Sequence, residues 1–183
     1  ALRRSRPALR VAAMTDSVRV TTSVRESASG SVIEQIQTLA KDEPSLSLRP
    51  LGQLRRALAE GRLAVALNGD RVVGWFLSEQ GRCGAPELGF LYVMRGYRDG
   101  ALFRRMLDLL LTDDLPTVAV TFQPGFAQWA QRTFGFREST LGEVIWLTRG
   151  AFLTRRMTLS RIRAVRAHTS KARPLYLVRE VRS

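Results

Sequence analysis

The segment from Glu87 to Leu107 carries the residues of this chain that are best suited to chemistry. It reads as an apolar strand that runs into a short loop with small residues, followed at once by an amphipathic helix. The first amide groups of a helix lack partners within it, and the helix dipole makes that end partly positive. The loop is therefore a candidate site for an anion such as a pyrophosphate, with the cationic Arg98 beside it.

Hydrophobic periodicity predicts the elements that must position this loop. Asn68-Gly69 between two β-rich runs predicts a tight antiparallel hairpin. The strand that begins at Glu87 is apolar on both faces, so it should be central in its sheet. A hairpin followed by a strand–helix–strand unit predicts an α/β (α+β) fold, with a mixed, mostly antiparallel central sheet and helices on both faces.

The predicted strands are Val18–Val24, Leu63–Leu67, Arg71–Ser78, Glu87–Met94, Thr117–Phe122 and Glu143–Thr148. The predicted helices are Ser31–Lys41, Leu51–Glu60, Ala101–Thr112, Gly125–Thr133 and Ala151–Ala167. A capping box of Ser31 and Glu34 is expected to start the first helix, and Gly135 to end the fourth. Leu175–Val181 reads as a last strand or an extended arm.

With this spacing, the chain resembles the GNAT superfamily of acyl-CoA-dependent N-acyltransferases. The central strand and loop of that family typically read E-L-x-x-L-Y-V-x-P-x-Y-R-G-x-G-x-G-x-x-L-L, and Gly135-Phe136 corresponds to the G-F after its next helix. The resemblance covers roughly residues 18–148. The residues that match without a gap are Glu87, Leu88, Leu91, Tyr92, Val93, Tyr97, Arg98, Met106 and Leu107.

The resemblance implies transfer of an acyl group from an acyl-CoA, acetyl-CoA by default, to an amine acceptor of unknown identity. In the family, the central strand diverges from its neighbour, strand amides hold the thioester carbonyl, and loop amides hold the pyrophosphate of CoA. By position, the strand amides belong to Leu91, Tyr92 and Val93. The pyrophosphate loop would comprise Arg98, Asp99, Gly100, Ala101, Leu102 and Phe103.

Several positions depart from the family pattern. Asp99 brings a negative charge to the expected anion site, and Phe103 stands where the family has Gly or Ala; a one-residue shift would make Gly100 and Ala101 the close-approach pair. Arg95, Pro124 and Gln131 replace the family's Pro, its Asn and the Tyr that often protonates the CoA thiolate. A second hypothesis therefore stays open: a catalytically decayed GNAT-fold protein that acts as a basic structural or RNA-bound component of a larger assembly.

The attacking amine must lose a proton, so the site needs a general base. Glu87 is the first candidate, because acidic residues at the start of the central strand act through water in some family members. Its alternative role is that of a solvated carboxylate at the edge of the core. Glu79 and Glu143 are weaker candidates at neighbouring strand ends. Trp75 and Tyr92 are interpreted as core or pocket wall.

The net charge of +13 is confined to the two ends of the chain. Residues 1–14 form a basic N-terminal arm, residues 15–148 the neutral GNAT-like domain, and residues 149–183 a basic C-terminal helix and strand extension with one acid, Glu180. A polyanion such as RNA, an anionic membrane surface or an acidic protein is the expected partner of the last segment. The arginines that should share a face of its helix are Arg155, Arg156, Arg163 and Arg166.

The composition also excludes some classes of protein. No run of 18 apolar residues predicts a transmembrane segment. One Cys and one His cannot make a tetrahedral zinc site, so no metal is expected, and Cys83 has no activating neighbour. We expect a cytoplasmic location. Three interpretations of the arm at 1–14 stay open. It is a targeting remnant, which would indicate a mitochondrial or plastid location; or it is an artefact of the assigned start; or it is a basic segment that lies on a polyanion.

Overall fold

The computed structural model describes residues 17–44, 46–81, 83–156 and 173–181. The strands are β1 (Arg19–Thr21), β2 (Leu63–Asn68), β3 (Arg71–Glu79), β4 (Glu87–Val93), β5 (Thr117–Thr121), β6 (Arg137–Ser139) and β7 (Leu175–Arg179). The helices are α1 (Glu26–Lys41), α2 (Leu51–Ala59), α3 (Gly100–Asp108), α4 (Pro124–Phe134), α5 (Leu141–Leu147) and α6 (Ala151–Arg156), with a 3₁₀ turn at Arg95–Tyr97.

The strands form a seven-stranded sheet in the order β1-β2-β3-β4-β5-β7-β6. The β4–β5 pair is parallel, whereas β1–β2, β2–β3, β5–β7 and β6–β7 are antiparallel. This confirms the predicted α/β class, the mixed and mostly antiparallel sheet, and the central position of β4. The chain divides into two compact units.

The first unit contains the described residues up to Leu39, together with Arg49–Leu77 and Phe90–Leu110. The β2–β3 hairpin turns at Asn68-Gly69, as predicted, with φ of 59° at the glycine. Gln35 ties α1 to this hairpin, because its side chain accepts a hydrogen bond from the amide of Val72 at 2.9 Å. The second half of β4 and helix α3 belong to this same unit.

The second unit contains Ala40–Leu48, Ser78–Gly89 and the described residues from Leu111 onward. Its strand β7 lies between β5 and β6, and Leu177 is fully buried. Arg179, 5% exposed, donates to the carbonyl of Phe134 at 3.3 Å and to that of Thr112 at 3.0 Å, and it pairs with Asp113. The strand or arm predicted at the end of the chain is therefore a strand of the sheet.

Two predicted elements are wrong. The segment Glu143–Thr148 was predicted as a strand, but most of it belongs to helix α5. The strand in this region is β6, which lies earlier in the chain at Arg137–Ser139. Thr140 caps α5 by accepting a hydrogen bond from the amide of Glu143, which is a capping box in the sequence. Ser31 and Glu34 do not start a helix, contrary to the prediction, because α1 already begins at Glu26 and contains both residues.

Other boundaries shift by a few residues. β1 ends at Thr21 because the hydroxyl of that residue bonds with the backbone of Ser23 and turns the chain. Gly135 ends α4 in the left-handed conformation with φ of 72°, as predicted. Within the described ranges, every helix is too short or too polar to cross a lipid bilayer. Arg163, Arg166 and the side chains of Arg155 and Arg156 lie outside the described part of the chain.

Candidate functional site

Strand β4 changes conformation halfway along its length. Its parallel pairing with β5 covers its first two residues, Glu87 and Leu88. Phe90 then adopts φ of 50°, in the left-handed region that bulky side chains rarely occupy. Such an irregularity re-aims the residues that follow, which are the predicted amide donors 91–93. Backbone strain of this kind is typical of functional sites.

Phe90 lies in a row of aromatic side chains. Trp75, fully buried on β3, lies 5.6 Å from the ring of Phe90 and stacks on Tyr92 with centroids 4.6 Å apart. The guanidinium of Arg49 lies 5.1 Å from the centroid of the Phe90 ring. Trp75 is therefore a core residue, and Tyr92 is half-buried beside it.

Strands β3 and β4 approach closely beside these aromatic rings. A Cβ added at Gly74 would lie 3.0 Å from the carbonyl oxygen of Tyr92 and 3.1 Å from a methyl group of Val93. The absence of a side chain at Gly74 lets the backbone of β3 hold this part of β4 in place.

The turn between β4 and α3 is fixed by hydrogen bonds. The amide of Met94 donates to the carbonyl of Val73 at 2.8 Å, and the amide of Tyr97 donates to the carbonyl of Met94 at 2.8 Å. The hydroxyl of Tyr97 accepts a hydrogen bond from Asn68 at 2.8 Å. The start of α3 is therefore held in position relative to the end of β4.

Helix α3 presents its amino end at this turn. Leu102 is buried and fixes the helix in the core, whereas Gly100 and Ala101 are exposed and Phe103 is half-buried. Arg98 is exposed, and its Nε donates to the carbonyl of Val93 at 3.0 Å. The structure thus brings together, in one unit, all the residues that the resemblance assigns to an acyl-CoA.

The side chain of Asp99 occupies part of this helix end. Asp99 is the N-cap of α3, and its carboxylate accepts a hydrogen bond from the amide of Ala101 at 3.3 Å. The carbonyl of Asp99 accepts from the amide of Phe103 at 3.1 Å. The preference of Asp for the N-cap position is a sequence signal that could have predicted this role.

The candidate bases lie in different surroundings. Glu87, at the start of β4, is 4% exposed, so the alternative of a solvated carboxylate is wrong. Glu79, at the end of β3, is also 4% exposed. Glu143 lies on helix α5 and pairs with Arg137 at 2.5 Å. Hydrogen bonds from Arg137 and Ser139 lower the pKa of Glu143 to about 2, so its carboxylate is a poor proton acceptor.

Sequence reasoning missed two residues of this site. Arg49 and Phe90 form a cation–π pair, and neither has a local pattern that indicates this role. Pro124, which replaces the family Asn, is the first residue of α4, where Pro is favoured. Gln131 lies within the same helix.

Solved structures share this architecture over most of the chain. N-acetylglutamate synthase from Neisseria gonorrhoeae, complexed with coenzyme A and N-acetyl-glutamate, aligns with a TM-score of 0.58 and 15% identity over 91% of this chain. A GNAT-family acetyltransferase from Staphylococcus aureus Mu50 aligns with a TM-score of 0.54 and 16% identity over 90%. Arabidopsis thaliana Naa50, in complex with the bisubstrate analogue CoA-Ac-MVNAL, aligns with a TM-score of 0.55 and 15% identity over 90% of this chain.

The alignments cover different shares of these proteins. The chain spans 35% of the length of the N-acetylglutamate synthase and 99% of each of the other two proteins. No family model matches the sequence, and no curated protein matches it. The structural likeness establishes the fold, which is that of the GNAT-family acetyltransferases.

Proposed function

We propose that this protein is an acyl-CoA-dependent N-acyltransferase, with acetyl-CoA as the expected donor and an amine as the acceptor. The observation that carries the proposal is the path of the chain from Phe90 to Phe103. A strained strand leads into a turn that is fixed by hydrogen bonds, and this turn places the amino end of α3 next to the end of β4. Several of the similar structures were determined with CoA or a CoA-containing analogue, which supports the same class of donor.

In this proposal the backbone orients the donor. The amides of Leu91, Tyr92 and Val93 follow the irregularity in β4 and polarise the thioester carbonyl, where negative charge develops as the amine attacks. Arg98 and the first amides of α3 bind the pyrophosphate. Positioning the two reactants in this way supplies a large part of the rate enhancement.

Glu87 is the proposed general base, acting through water. Its carboxylate is buried on the central strand, and Glu143 is a poor alternative because Arg137 lowers the pKa of its carboxylate. The nitrogen of the amine forms a bond to the carbonyl carbon, the amine proton passes by way of water to Glu87, and the sulfur leaves as the CoA thiolate. The balance of atoms requires no further co-reactant.

The residues at the pyrophosphate loop fit an anion in part. The exposed Arg98 and the exposed backbone at Gly100 and Ala101 favour it. The carboxylate of Asp99 opposes it, because it already accepts the hydrogen bond of the Ala101 amide. We therefore propose binding that is weakened, and not abolished, by Asp99.

Calorimetric titration of the full chain with CoA and acetyl-CoA tests the binding step. Arg98→Ala should weaken CoA binding about tenfold, the effect expected for one charge-assisted contact. Arg104→Ala is the matched control, because Arg104 is an exposed arginine of α3 that pairs with Asp108 at 3.8 Å. Equal losses in the two variants would assign the effect to general charge and contradict the proposed contact.

Release of CoA thiol from acetyl-CoA over a panel of amines tests the chemical step. Binding with turnover supports the enzyme, and absence of binding at millimolar CoA contradicts it. The second hypothesis, a decayed protein that serves as a basic component of an assembly, receives no support from the similar structures. It predicts absence of turnover over the whole panel, with the fold intact.

A further inference from the structure

The second unit contains a cavity of about 870 Å³ that the acyl-transfer proposal does not use. It lies at the amino ends of β4 and β5, where Cys83 and Pro116 precede the two strands, and it is closed on another side by the end of α5 and the turn that follows. Its volume is in the range of small-molecule sites. The wall is mostly apolar and includes Leu115, Ile145 and Trp146.

The walls of this cavity are fixed by backbone contacts. A Cβ added at Gly84, which has φ of 89°, would lie 2.7 Å from the carbonyl oxygen of Leu147. The amide of Ala85 donates to that same carbonyl at 2.9 Å. The buried hydroxyl of Thr148 donates to the carbonyl of Val144 at 2.8 Å and accepts from the amide of Phe152 at 3.3 Å, which joins α5 to α6. The backbone on this side of the cavity is therefore held in place.

Trp146 is unusual among the large apolar residues of the chain. It is 77% exposed, the highest value among the exposed large hydrophobic residues in the described ranges. An indole in contact with solvent at the rim of an apolar cavity offers a flat face on which a planar ligand can stack.

Arg149 is the charged residue among the described residues that line the cavity, and its backbone is strained. Its φ is 49°, and Phe90 is the other non-glycine residue with positive φ in the described part of the chain. Glycine would adopt this φ without steric strain, so arginine is the less favourable residue at this position. Among the described residues that line the cavity, Arg149 is the charged one, and no carboxylate faces it from the lining.

We propose that this cavity binds a small organic carboxylate with a planar apolar body. The body stacks on Trp146 and fills the space beside Leu115 and Ile145, and the carboxylate pairs with the guanidinium of Arg149, whose fork of donors matches two oxygens. The lining shares no residue with the strand amides, the pyrophosphate loop or Glu87. The proposal is therefore independent of acyl transfer.

The thiol of Cys83 gives a direct measure of occupancy. Cys83 is the single cysteine of the chain, it is exposed, and it lines the cavity. The probe is 4-phenylbutyrate, with its neutral amide and butyrate as matched ligands that lack the charge or the ring. Phenylbutyrate should slow the modification of Cys83 by a disulfide reagent, and the effect should reach a plateau as the phenylbutyrate concentration rises. The neutral amide and butyrate should slow the modification less at the same concentration.

Substitutions separate the roles of charge and ring. Arg149→Gly should have a melting temperature equal to or above that of the native chain, because glycine relieves the strain, yet bind phenylbutyrate about tenfold more weakly. Arg149→Asn, which also tolerates positive φ, should bind equally weakly. Trp146→Ala should lose protection by both phenylbutyrate and its amide. Arg173→Gly removes an exposed arginine outside the lining and should leave protection unchanged.

Two results would overturn the proposal. One is an unchanged rate of Cys83 modification up to ~10 mM phenylbutyrate, a concentration that would detect even a weak site. The other is equal protection in the native chain and in a folded Arg149→Gly or Arg149→Asn variant, which would show that the cavity does not select a carboxylate.

Discussion

The carboxylate of Asp99 accepts a hydrogen bond from the amide of Ala101 at 3.3 Å, in the first turn of α3. That amide is one of those that the family resemblance assigns to the pyrophosphate of CoA. An N-cap carboxylate stabilises the helix, and it also places a negative charge where the ligand would bring two phosphates. Stability of α3 and affinity for the donor are therefore opposed at this residue.

Asp99→Asn should raise the affinity for CoA several-fold, by about 1 kcal/mol, because Asn retains a capping oxygen without the charge. Calorimetry at low salt measures the change, which should shrink as salt screens the repulsion. Asp108→Asn, at the last residue of the same helix, is the control and should leave the affinity nearly unchanged. An affinity in Asp99→Asn no higher than in the native chain would show that Asp99 does not compete with the pyrophosphate.

Glu87→Gln should reduce kcat for acetyl transfer by about 100-fold or more and leave CoA binding intact, because the amide cannot accept the proton. A steady-state pH profile checks this prediction, since the variant should regain part of the rate at high pH, where more of the amine is already deprotonated. Glu79→Gln removes another buried carboxylate. A larger loss in Glu79→Gln than in Glu87→Gln would reassign the base.

Gly74→Ala should destabilise the protein by about 1–3 kcal/mol, because the new methyl group would lie 3.0 Å from the carbonyl oxygen of Tyr92. Gly89→Ala, on β4 itself, is the matched control, since a Cβ there meets nothing within 4 Å. Urea unfolding measures both variants. Similar stabilities for the two would indicate that β4 yields at this contact and that the close approach is not required.

Glu143→Gln should lower the melting temperature at pH 7 by a few degrees (~2–4 °C), because the carboxylate pairs with Arg137 and accepts from Ser139. The folded-state pKa of Glu143 is lowered from 4.5 to about 2. The stabilisation is therefore complete above the unfolded pKa and lost as the pH falls from about 4.5 to about 2.

Thermal unfolding between pH 2 and pH 7 tests whether the stabilisation by Glu143 is lost as the pH falls. The difference between the native chain and Glu143→Gln should narrow towards pH 2, whereas Glu138→Gln, at an exposed neighbour, should show little effect at any pH. A difference that widens at low pH would contradict the ion pair as its source.

The sequence predicts a polyanion such as RNA as the partner of residues 149–183. On that prediction, replacement of Arg155, Arg156, Arg163 and Arg166 by Gln should weaken binding of a single-stranded RNA and reduce the slope of log affinity against log salt by up to about 3. Fluorescence anisotropy at several salt concentrations measures both quantities. Substitution is preferable to deletion of the basic segment, because β7 pairs with β5 and β6. An unchanged slope would exclude these arginines as phosphate contacts.

Local patterns in the sequence were sufficient for the elements whose signals are complete within a few residues. Asn68-Gly69 predicted the hairpin, Gly135 predicted the end of α4, and the two apolar faces of the strand at Glu87 predicted its central place. The motif from Glu87 to Leu107 then predicted the fold. These features follow from backbone preference and from the burial of apolar side chains, which a short segment already specifies.

The same local reasoning could not decide among repeats of one signal. The pattern of a hydroxyl residue followed three positions later by Glu occurs at Ser23, Ser31 and Thr140. Thr140 caps helix α5, whereas Ser31 lies inside α1. The tertiary structure also decided the place of β7, the strained turn at Phe90, and the cavity beside Arg149. Each depends on contacts between residues far apart in the chain, whose energies no short segment contains.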